Sequence, residues 1–313
     1  GHFVGSAQLA RRCFLASHRQ NAGRILSSTT SIEKSVHGSQ WQGSLKLVNV
    51  SRARNRAWLH VAEARIRNML KWWTSIAAFS LGNPVLYLFS VGIGIGALVD
   101  ANGGNSQLGN VSYLTFLAPA LLASAALQSF QEEMSFPIME GFEWDKSFFA
   151  MNATPITGRD IVNGLITSSL FKTMITVGIY EGVLLGFGAI GLEVALPMFL
   201  SALLAGIAFG SVMMAVTSFI KNDDGFFAIV GRFIVAPMIM FSGTYYPLVS
   251  MPFYLQWVGW ISPLWHGTDL GRVISYGSPQ QGWIVASHWV YLALWVVVGL
   301  GLAYRQVSKR LAA

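Results

Sequence analysis

Three ionisable side chains, Lys172, Glu181 and Arg232, lie within long apolar stretches of the sequence. A charge in an apolar environment is costly, so each of them needs a partner, a route to water or a function. Lys172 and Arg232 lie roughly two turns from the ends of their stretches, where long side chains can reach water. Lys172 and Glu181 are nine residues apart, on opposite sides of a helix, and cannot pair with each other. We expect Glu181 either to face a polar cavity or to bond to another helix.

No motif for nucleotide, cofactor or metal chemistry stands in a suitable context. The phosphate-binding pattern G-x-x-x-x-G-K-[ST] is absent, as are H-E-x-x-H and G-x-S-x-G. Residues 92–97 fit the dinucleotide pattern, but they lie inside an apolar run with no preceding strand. A single cysteine, Cys13, excludes an intrachain disulfide or a cysteine-rich metal site. The sequence therefore predicts a protein that is not an enzyme and that binds no cofactor or metal itself.

The composition indicates that most of the chain lies in lipid. Hydrophobic residues make up 53% of the 313 residues and charged residues only 11%, with a mean hydropathy of +0.50. A soluble domain carries roughly 25% charged residues. Continuous apolar runs without period-two alternation predict membrane-spanning helices and not a barrel. Six runs are long enough to span a bilayer, namely Thr74–Val99, Val111–Phe130, Leu165–Ile190, Val194–Ile220, Phe226–Tyr246 and Trp283–Tyr304.

Glycines spaced four residues apart recur within these runs. Such pairs allow two helix backbones to approach closely in a membrane. We therefore expect tight helix contacts at the pairs Gly92/Gly96, Gly178/Gly182/Gly186 and Gly206/Gly210.

The net charge of +7 is unevenly distributed along the chain. Of the 21 Lys and Arg residues, 12 precede Trp72, where only Glu33 and Glu63 oppose them, so this part carries +10 and the remainder −3. A basic flank before the first span is typical of cytoplasmic segments, and this interpretation is preferred over nucleic-acid binding. The C-terminal tail, residues 306–313, is basic as well. Six spans in a bacterial inner membrane, with both termini in the cytoplasm, satisfy this distribution.

Two segments precede the first span. Residues 51–73 place apolar side chains at helical spacing opposite Arg56 and Glu63, which predicts an amphipathic helix in the membrane interface. A soluble helix packed on a partner is the alternative. Residues 1–50 are rich in Ser, Arg and Gln without periodicity, so we expect a mostly disordered basic extension that also resembles a transit peptide. The membrane domain is expected to cover residues 74–305.

The connection between the second and third spans, residues 132–163, is expected on the cytoplasmic side. Six acidic residues in it face only two basic ones, and aromatic residues are interleaved with the acids at helical spacing. Such a surface favours a protein partner over an anionic lipid. Thr154-Pro155 should end the local helix, and Thr157 is placed to cap the next helix ahead of Asp160.

The connection before the last span, residues 248–282, is rich in Tyr and Trp and is expected on the outer side. Its apolar pieces are too short to span and are bounded by Pro or Gly, which predicts two short re-entrant or interfacial helices. Aromatic residues at this density mark the headgroup level of a bilayer. They would also suit the path of an amphipathic or glycosylated substrate, and both interpretations stay open.

The order of these elements resembles the permease subunit of type-2 ABC exporters. One motif lies in the acidic connection and comprises Trp144-Asp145-Lys146, Ala150-Met151-Asn152-Ala153-Thr154-Pro155 and Arg159-Asp160-Ile161-Val162-Asn163-Gly164. The other comprises Phe241-Ser242-Gly243-Thr244-Tyr245-Tyr246-Pro247 and Pro263-Leu264-Trp265-His266-Gly267. Both are most similar to the branch that includes rhizobial lipo-oligosaccharide (nodulation-factor) exporters and actinobacterial relatives tied to drug or lipid export. The resemblance covers the chain from about Arg52 to its C-terminus.

The resemblance implies a mechanism, partners and a set of functional residues. Such permeases work as dimers, here a homodimer, with two separate cytoplasmic ATPase subunits that bind ATP and Mg²⁺. It implies that a lipo-oligosaccharide, a glycolipid or a hydrophobic drug moves through an interface formed by the first, second and fifth spans. The implied ATPase-coupling residues are Glu140, Gly141, Glu143, Trp144, Asp145, Thr154 and Pro155. The implied path or gate residues are Glu181, Phe241, Tyr245, Tyr246, Trp265 and His266.

Two other functions are open to a polytopic membrane protein. An ion-driven secondary transporter would show interrupted helices in two matching halves and ionisable partners near the midplane. Glu181 alone supports this function, and the sequence shows no convincing internal repeat. A membrane-embedded glycosyl- or acyltransferase would need clustered Asp, Glu or His residues on one face, which the sequence lacks.

Overall fold

The computed structural model describes residues 56–222 and 225–312, without the side chains of residues 105 and 107. The predictions for residues 1–50, and for the start of the amphipathic segment, lie outside this part of the chain. Within it the regular elements are helices and no strand is present, as the composition predicts. The main helices are α1 Ala57–Leu70, α2 Trp73–Ala101, α3 Tyr113–Glu133, α4 Gly158–Gly186, α5 Leu192–Thr217, α6 Phe226–Phe241, α7 Phe253–Ile261, α8 Pro263–Tyr276 and α9 Gly282–Leu311.

Helix α5 lies at the centre of the bundle, with α3, α4, α8 and α9 packed around it. Its Gly206 and Gly210 face α3, where the ring of Phe130 is fully buried. A Cβ added at Gly206 would lie 2.9 Å from the Ala126 carbonyl oxygen, and one added at Gly210 would lie 2.9 Å from the Phe130 Cβ. The close contact predicted for this glycine pair is therefore confirmed.

Five helical stretches are long and apolar enough to cross a membrane: α2, Tyr113–Trp144, α4, α5 and α9. Of the 18 most apolar consecutive residues in Tyr113–Trp144, 78% are buried. The corresponding share is 22% in α2 and 17% in α9, so these two helices are largely exposed on the outside of the bundle. The fifth of the six predicted spans corresponds to α6, which is shorter than predicted. It ends at Phe241, and the chain then turns at Gly243, whose φ is +69°.

Helix α4 begins at Gly158, and its first turn is closed by the predicted cap. The Thr157 hydroxyl accepts a bond from the Asp160 backbone N–H at 3.3 Å, and the Asp160 carboxylate accepts one from the Thr157 N–H at 2.9 Å. This reciprocal pair is a capping box. Residues 134–157, here called the acidic segment, form the short helical stretches Phe136–Met139, Glu140–Trp144 and Ser147–Asn152.

Helix α1 packs along α4 of the same chain. Its Val61 and Ala62 are buried. A Cβ added at Gly164 would lie 2.5 Å from the Val61 Cβ and 3.0 Å from the Trp58 carbonyl oxygen. The apolar face of α1 is therefore largely covered by α4 of the same chain. Further along α4, nothing lies within 4 Å of a Cβ added at Gly182 or Gly186, so the predicted tight contact is not made there within this chain.

The acidic segment and the connection between α6 and α9 lie at opposite ends of the bundle. At one end, Arg310 of α9 donates to the Ser218 carbonyl after α5 and to Glu143 of the acidic segment. At the other end, the Tyr113 hydroxyl of α3 donates to the Tyr245 carbonyl at 3.2 Å. We call residues 242–281 the aromatic segment, and name the two ends of the bundle the acidic end and the aromatic end.

Candidate functional site

A cavity of about 860 Å³ lies between α2, α3 and α4 and reaches α6 and the turn that follows it. This volume is within the range that holds a small-molecule ligand in proteins. The wall of the cavity includes the side-chain amides of Asn83 and Gln128. The hydroxyl-bearing residues of the wall are Ser75, Ser80, Ser90, Ser124, Ser129, Thr176, Thr244, Tyr87, Tyr180 and Tyr245.

Three hydroxyl groups in this wall are buried without a hydrogen bond. The Tyr87 Oη, the Ser124 Oγ and the Thr244 Oγ1 have no hydrogen-bond partner within the described part of the chain. Ser80, by contrast, is 3.1 Å from the Thr176 hydroxyl and is satisfied by it. A buried hydroxyl without a partner is unfavourable by about 1–3 kcal/mol, which a bound polar group would relieve. The cavity therefore offers unused hydrogen-bonding groups to a ligand.

The charges at the acidic end of the cavity are paired. The Lys172 ammonium lies 3.2 Å from a Glu132 carboxylate oxygen and 2.9 Å from one of Glu133. Arg65 of α1 lies 3.6 Å from Glu133 on its other side. The Lys172 side chain is only 14% exposed, so an ion pair replaces the route to water that the sequence suggested. A ligand in the cavity therefore meets little uncompensated charge.

Only Tyr245 of the six predicted path residues lines this cavity. Its ring centroid is 6.4 Å from that of Tyr87 on α2. Tyr246 is exposed beside it, and Phe241 is half-buried at the end of α6. Glu181 is buried in α4 outside the cavity wall, and its Oε1 has no hydrogen-bond partner in the residues described. The place of Glu181 on the substrate path stays a prediction.

Two of the predicted coupling carboxylates are held by arginines from other helices. The Glu143 carboxylate pairs with Arg310 of α9, which also donates to the Ser218 carbonyl at 2.9 Å. The Arg310 guanidinium lies over the Phe142 ring, 4.2 Å from its centroid. Glu140 lies 3.6 Å from Arg65 of α1. These carboxylates therefore fix the acidic segment to α1 and α9.

Of the other predicted coupling residues, one is packed in the interior and the rest are exposed. Gly141 lies against the Phe148 ring, where a Cβ would collide with three ring atoms. Trp144 is 59% exposed, and its ring stacks on that of Phe136. Asp145 is exposed and accepts a bond from the Ser147 N–H at 2.9 Å. Thr154 and Pro155 lie in the exposed turn that ends Ser147–Asn152.

At the aromatic end, His266 of α8 belongs to a buried polar cluster with Asp269, Arg272 and His288. The sequence analysis identified only His266 among these residues. Its Nδ1 lies 2.7 Å from the Nδ1 of His288 in α9, and the His288 Nε2 lies 3.3 Å from the Asp269 carboxylate. The Arg272 guanidinium donates to the Gly243 carbonyl at 2.6 Å and covers the Phe116 ring. His288 could have been identified from the sequence, because it is a histidine within an otherwise apolar span.

The sequence of the chain can be compared with known protein families. Residues 56–276 match the family described as ABC-2 type transporter. The chain belongs to this family. It is similar to Nodulation protein J from Rhizobium leguminosarum bv. viciae, with 30% identity over 251 residues that cover 78% of the chain and 92% of the relative. Nodulation protein J from Rhizobium meliloti (strain 1021) is also 30% identical, covering 78% and 91%.

Membership of the ABC-2 type transporter family gives the chain a general role. It is the permease of an ABC transporter of the exporter type. Its long apolar helices indicate a multi-pass protein of the inner membrane. The family implies a partner ATPase subunit. The family indicates that this ABC-2 permease is a transport subunit.

Proposed function

We propose that this permease exports an amphipathic substrate, such as a lipo-oligosaccharide or a glycolipid, out of the cytoplasm or the inner leaflet. The observation that supports the proposal is the cavity between α2, α3 and α4, which contains unpartnered hydroxyls at membrane depth. Neutral hydroxyls, amides and tyrosine rings suit a polyhydroxylated headgroup. The name of the curated relatives, Nodulation protein J, fits the lipo-oligosaccharide branch.

The lipid-facing side of the cavity suits the apolar part of such a substrate. Phe79 and Leu86 of α2 line the cavity and are 69% and 71% exposed. An acyl chain could therefore lie along α2 in the bilayer while the headgroup occupies the polar wall. A hydrophobic drug lacks the hydroxyls that would satisfy Ser124 and Thr244, so a lipid-linked sugar is the preferred class.

The transport cycle would be driven by two copies of a separate ATPase subunit, which bind ATP and Mg²⁺. The acidic end would face the cytoplasm with both termini, and the aromatic end would face outward. Trp144 and Asp145 are exposed at the acidic end and would contact the ATPase. Residues 132–163 are proposed as the coupling loop, and α1 as an elbow at the interface.

The proposed topology has six spans, with α6 as the fifth, and residues 74–305 as the permease domain. The apolar outer surfaces of α2 and α6, which include Phe89, Ile229 and Phe233, would face a second permease copy in a homodimer. The short helices α7 and α8 would be interfacial or re-entrant, with their aromatic residues at the headgroup level.

The cavity assignment is tested by removing one hydroxyl without changing side-chain shape. Thr244→Val is the test and Thr268→Val its control, because both threonines are fully buried and unpartnered within the described residues, but only Thr244 lines the cavity. In nanodiscs, Thr244→Val should weaken binding of a lipo-oligosaccharide by roughly five- to tenfold, the effect of about 1 kcal/mol. Thr268→Val should leave binding unchanged. Equal effects of the two variants would refute the assignment.

ATP coupling is tested by co-purification with the ATPase subunit. Asp145→Lys and Trp144→Ala should reduce both capture of the ATPase and its stimulation by lipo-oligosaccharide. Glu193→Lys, an exposed charge reversal on α5 at the aromatic end, should reduce neither. Transport by the chain alone in response to an ion gradient would instead support the secondary transporter.

A further inference from the structure

A second cavity, of about 280 Å³, lies between α1, α4 and α9. Its wall is formed by the half-buried residues Trp58, Asn163, Ile166, Thr167, Leu300 and Tyr304. Tyr304 is less than two turns from Arg310, which places this cavity near the acidic end. The start of α4 packs closely on α9 here, since a Cβ added at Gly158 would lie 2.9 Å from the Ser308 hydroxyl.

The polar groups that remain available in this wall are mainly donors. The Tyr304 hydroxyl donates to the Asn163 Oδ1, which occupies the one side-chain carbonyl oxygen of the wall. Within the described residues, the Asn163 amide N–H groups, the Trp58 indole N–H and the Thr167 hydroxyl have no hydrogen-bond partner. An amide nitrogen and an indole nitrogen can only donate. The cavity therefore favours a ligand with acceptor oxygens.

Two exposed arginines flank this cavity. Arg159 lies one turn before Asn163, on the same face of α4, and Arg305 follows Tyr304 directly on α9. In the part of the chain that the structure describes, neither arginine forms an ion pair. The neighbouring Asp160 is engaged in the capping box of α4. The rim therefore carries positive charge that an anionic ligand would neutralise.

Toward the middle of the bundle the cavity continues into an apolar surface. Ile166 and Leu300 belong to its wall. One to two turns further along α4, Phe171 and Met174 are 41% and 44% exposed, and Val297, one turn from Leu300 on α9, is 69% exposed. A ligand here would meet arginines at one end and apolar side chains along its length. This combination suits a phospholipid better than a free phosphate, which would leave the apolar part unused.

The N-terminal residues 1–50 are the other occupant that the chain itself could supply. They contain six Lys or Arg residues and a single acid, Glu33. A basic segment is repelled by a rim that already carries unpaired arginines. Trp58 and Tyr304 are also residue types that membrane proteins place at the level of the lipid headgroups. Charge and position therefore favour a lipid over the N-terminal segment.

We propose that this cavity binds the headgroup of an anionic phospholipid, with its phosphate between Arg159 and Arg305. The acyl chains would lie along the exposed apolar surface of α4 and α9. Basic pockets between helices on the cytoplasmic side bind such headgroups in other membrane proteins. Because α1 contributes Trp58 to the wall, the bound lipid would also hold α1 against α4 and α9. The cytoplasmic leaflet follows from the proposed orientation, whereas binding itself does not rest on the proposed export function.

The lipid site is tested by native mass spectrometry of the full-length permease, titrated in detergent with phosphatidylglycerol or phosphatidylcholine. The wild type should bind the anionic lipid about tenfold more tightly. Arg159→Gln and Arg305→Gln should each weaken phosphatidylglycerol binding about fivefold and leave phosphatidylcholine binding unchanged. Lys221→Gln, at an exposed cation after α5 and outside the cavity, is the control and should change neither. Unchanged melting temperatures without added lipid would show that these surface variants are folded.

A second pair of variants tests the donors in the wall. Thr167→Val keeps the side-chain shape and should weaken phosphatidylglycerol binding about fivefold, whereas Thr268→Val, at the aromatic end, should have no effect. Equal binding of the two lipids by the wild type would overturn the proposal, and would be expected if residues 1–50 filled the cavity. An equal loss in Lys221→Gln would overturn it as well.

Inorganic phosphate in large excess separates a lipid from a free anion. It should leave phosphatidylglycerol bound, because it lacks the acyl chains that contact α4 and α9. Complete displacement of the lipid by inorganic phosphate would overturn the assignment. Neither the ATPase nor a lipo-oligosaccharide is present in these measurements, so their failure is distinguishable from failure of the proposed export function.

Discussion

Arg310 and Glu143 are 167 positions apart in the sequence, and they form an ion pair at the acidic end of the bundle. The arginine side chain is only 10% exposed, and its other contacts are the Ser218 carbonyl and the Phe142 ring. A guanidinium with this many partners is a fixed structural link. If the ATPase subunit binds the acidic segment as proposed, a displacement of that segment would reach the last span through this ion pair.

Neutralising this link should loosen the acidic segment. We expect Arg310→Gln to lower the free energy of unfolding by about 1–3 kcal/mol, because Glu143 loses its partner and the Phe142 ring its cation. Thermal unfolding in detergent would measure the loss. Lys309→Gln, at an exposed neighbouring position, should have no effect. If the double variant with Glu143→Gln lost the sum of the two single losses, the residues would not be coupled.

Lys172 should be equally sensitive to removal of its charge. Lys172→Met leaves Glu133, which is 8% exposed, with Arg65 as its remaining cation. We expect a loss of about 1–3 kcal/mol in unfolding free energy and weaker closure of the acidic end of the cavity. Lys221→Met, at an exposed site, is the control. A Lys172→Met variant as stable as the wild type would show that Arg65 alone compensates the charge of Glu133.

The contact between α1 and α4 depends on the absence of a side chain at Gly164. Gly164→Ala places a Cβ within 2.5 Å of Val61, so α1 must move away, and we expect a loss of about 1–3 kcal/mol. Gly182→Ala lies on the same helix with nothing within 4 Å, and should be neutral or slightly stabilising. The two melting temperatures should thus change in opposite directions or by clearly different amounts. Equal shifts would contradict the packing described for α1.

The pKa of His266 predicts how the permease responds to acid. In an unfolded chain its imidazole takes up a proton near pH 6.5, whereas burial lowers its pKa to about 4 in the fold. Between these values the unfolded state binds more protons, so stability is complete above about pH 6.5 and falls as the pH drops toward 4.

Allowing for partial contact with water, we expect a loss of about 1–2 kcal/mol over this window, seen as a lower melting temperature. His266→Gln should remove this part of the pH dependence, while His60→Gln should retain it. A wild-type melting temperature that stayed constant over the window would contradict the buried neutral state of His266.

Local signals in the sequence were sufficient for some elements. The Thr157 cap could be predicted because its partner Asp160 is only three residues away. Glycine spacing predicted the Gly206/Gly210 contact, but the same spacing at Gly182 and Gly186 makes no close contact within the described chain. The length of α6 was overestimated because apolar residues continue past the turn at Gly243, and only the three-dimensional path shows where the helix ends.

Partners distant in the sequence could not be predicted in the same way. Glu140 and Glu143 look like free carboxylates in the sequence, yet arginines from α1 and α9 pair with them. Lys172 pairs with carboxylates about 40 positions earlier in the chain, at the end of α3. His288 contacts His266, which is 22 positions away on another helix. Each pairing follows from how the helices dock, which composition and periodicity do not specify.

The π-helical stretches Leu88–Ile95 of α2 and Gly231–Val235 of α6 have a mechanical consequence. A π turn holds one residue more than an α turn, so rewinding it as an α turn would advance the following helix by one residue. One residue corresponds to a rotation of about 100° around the axis. The stretch Gly96–Ala101 could thereby present a different set of side chains without tilting or unfolding. Two of the helices that line the cavity thus contain a point at which the helix register can change.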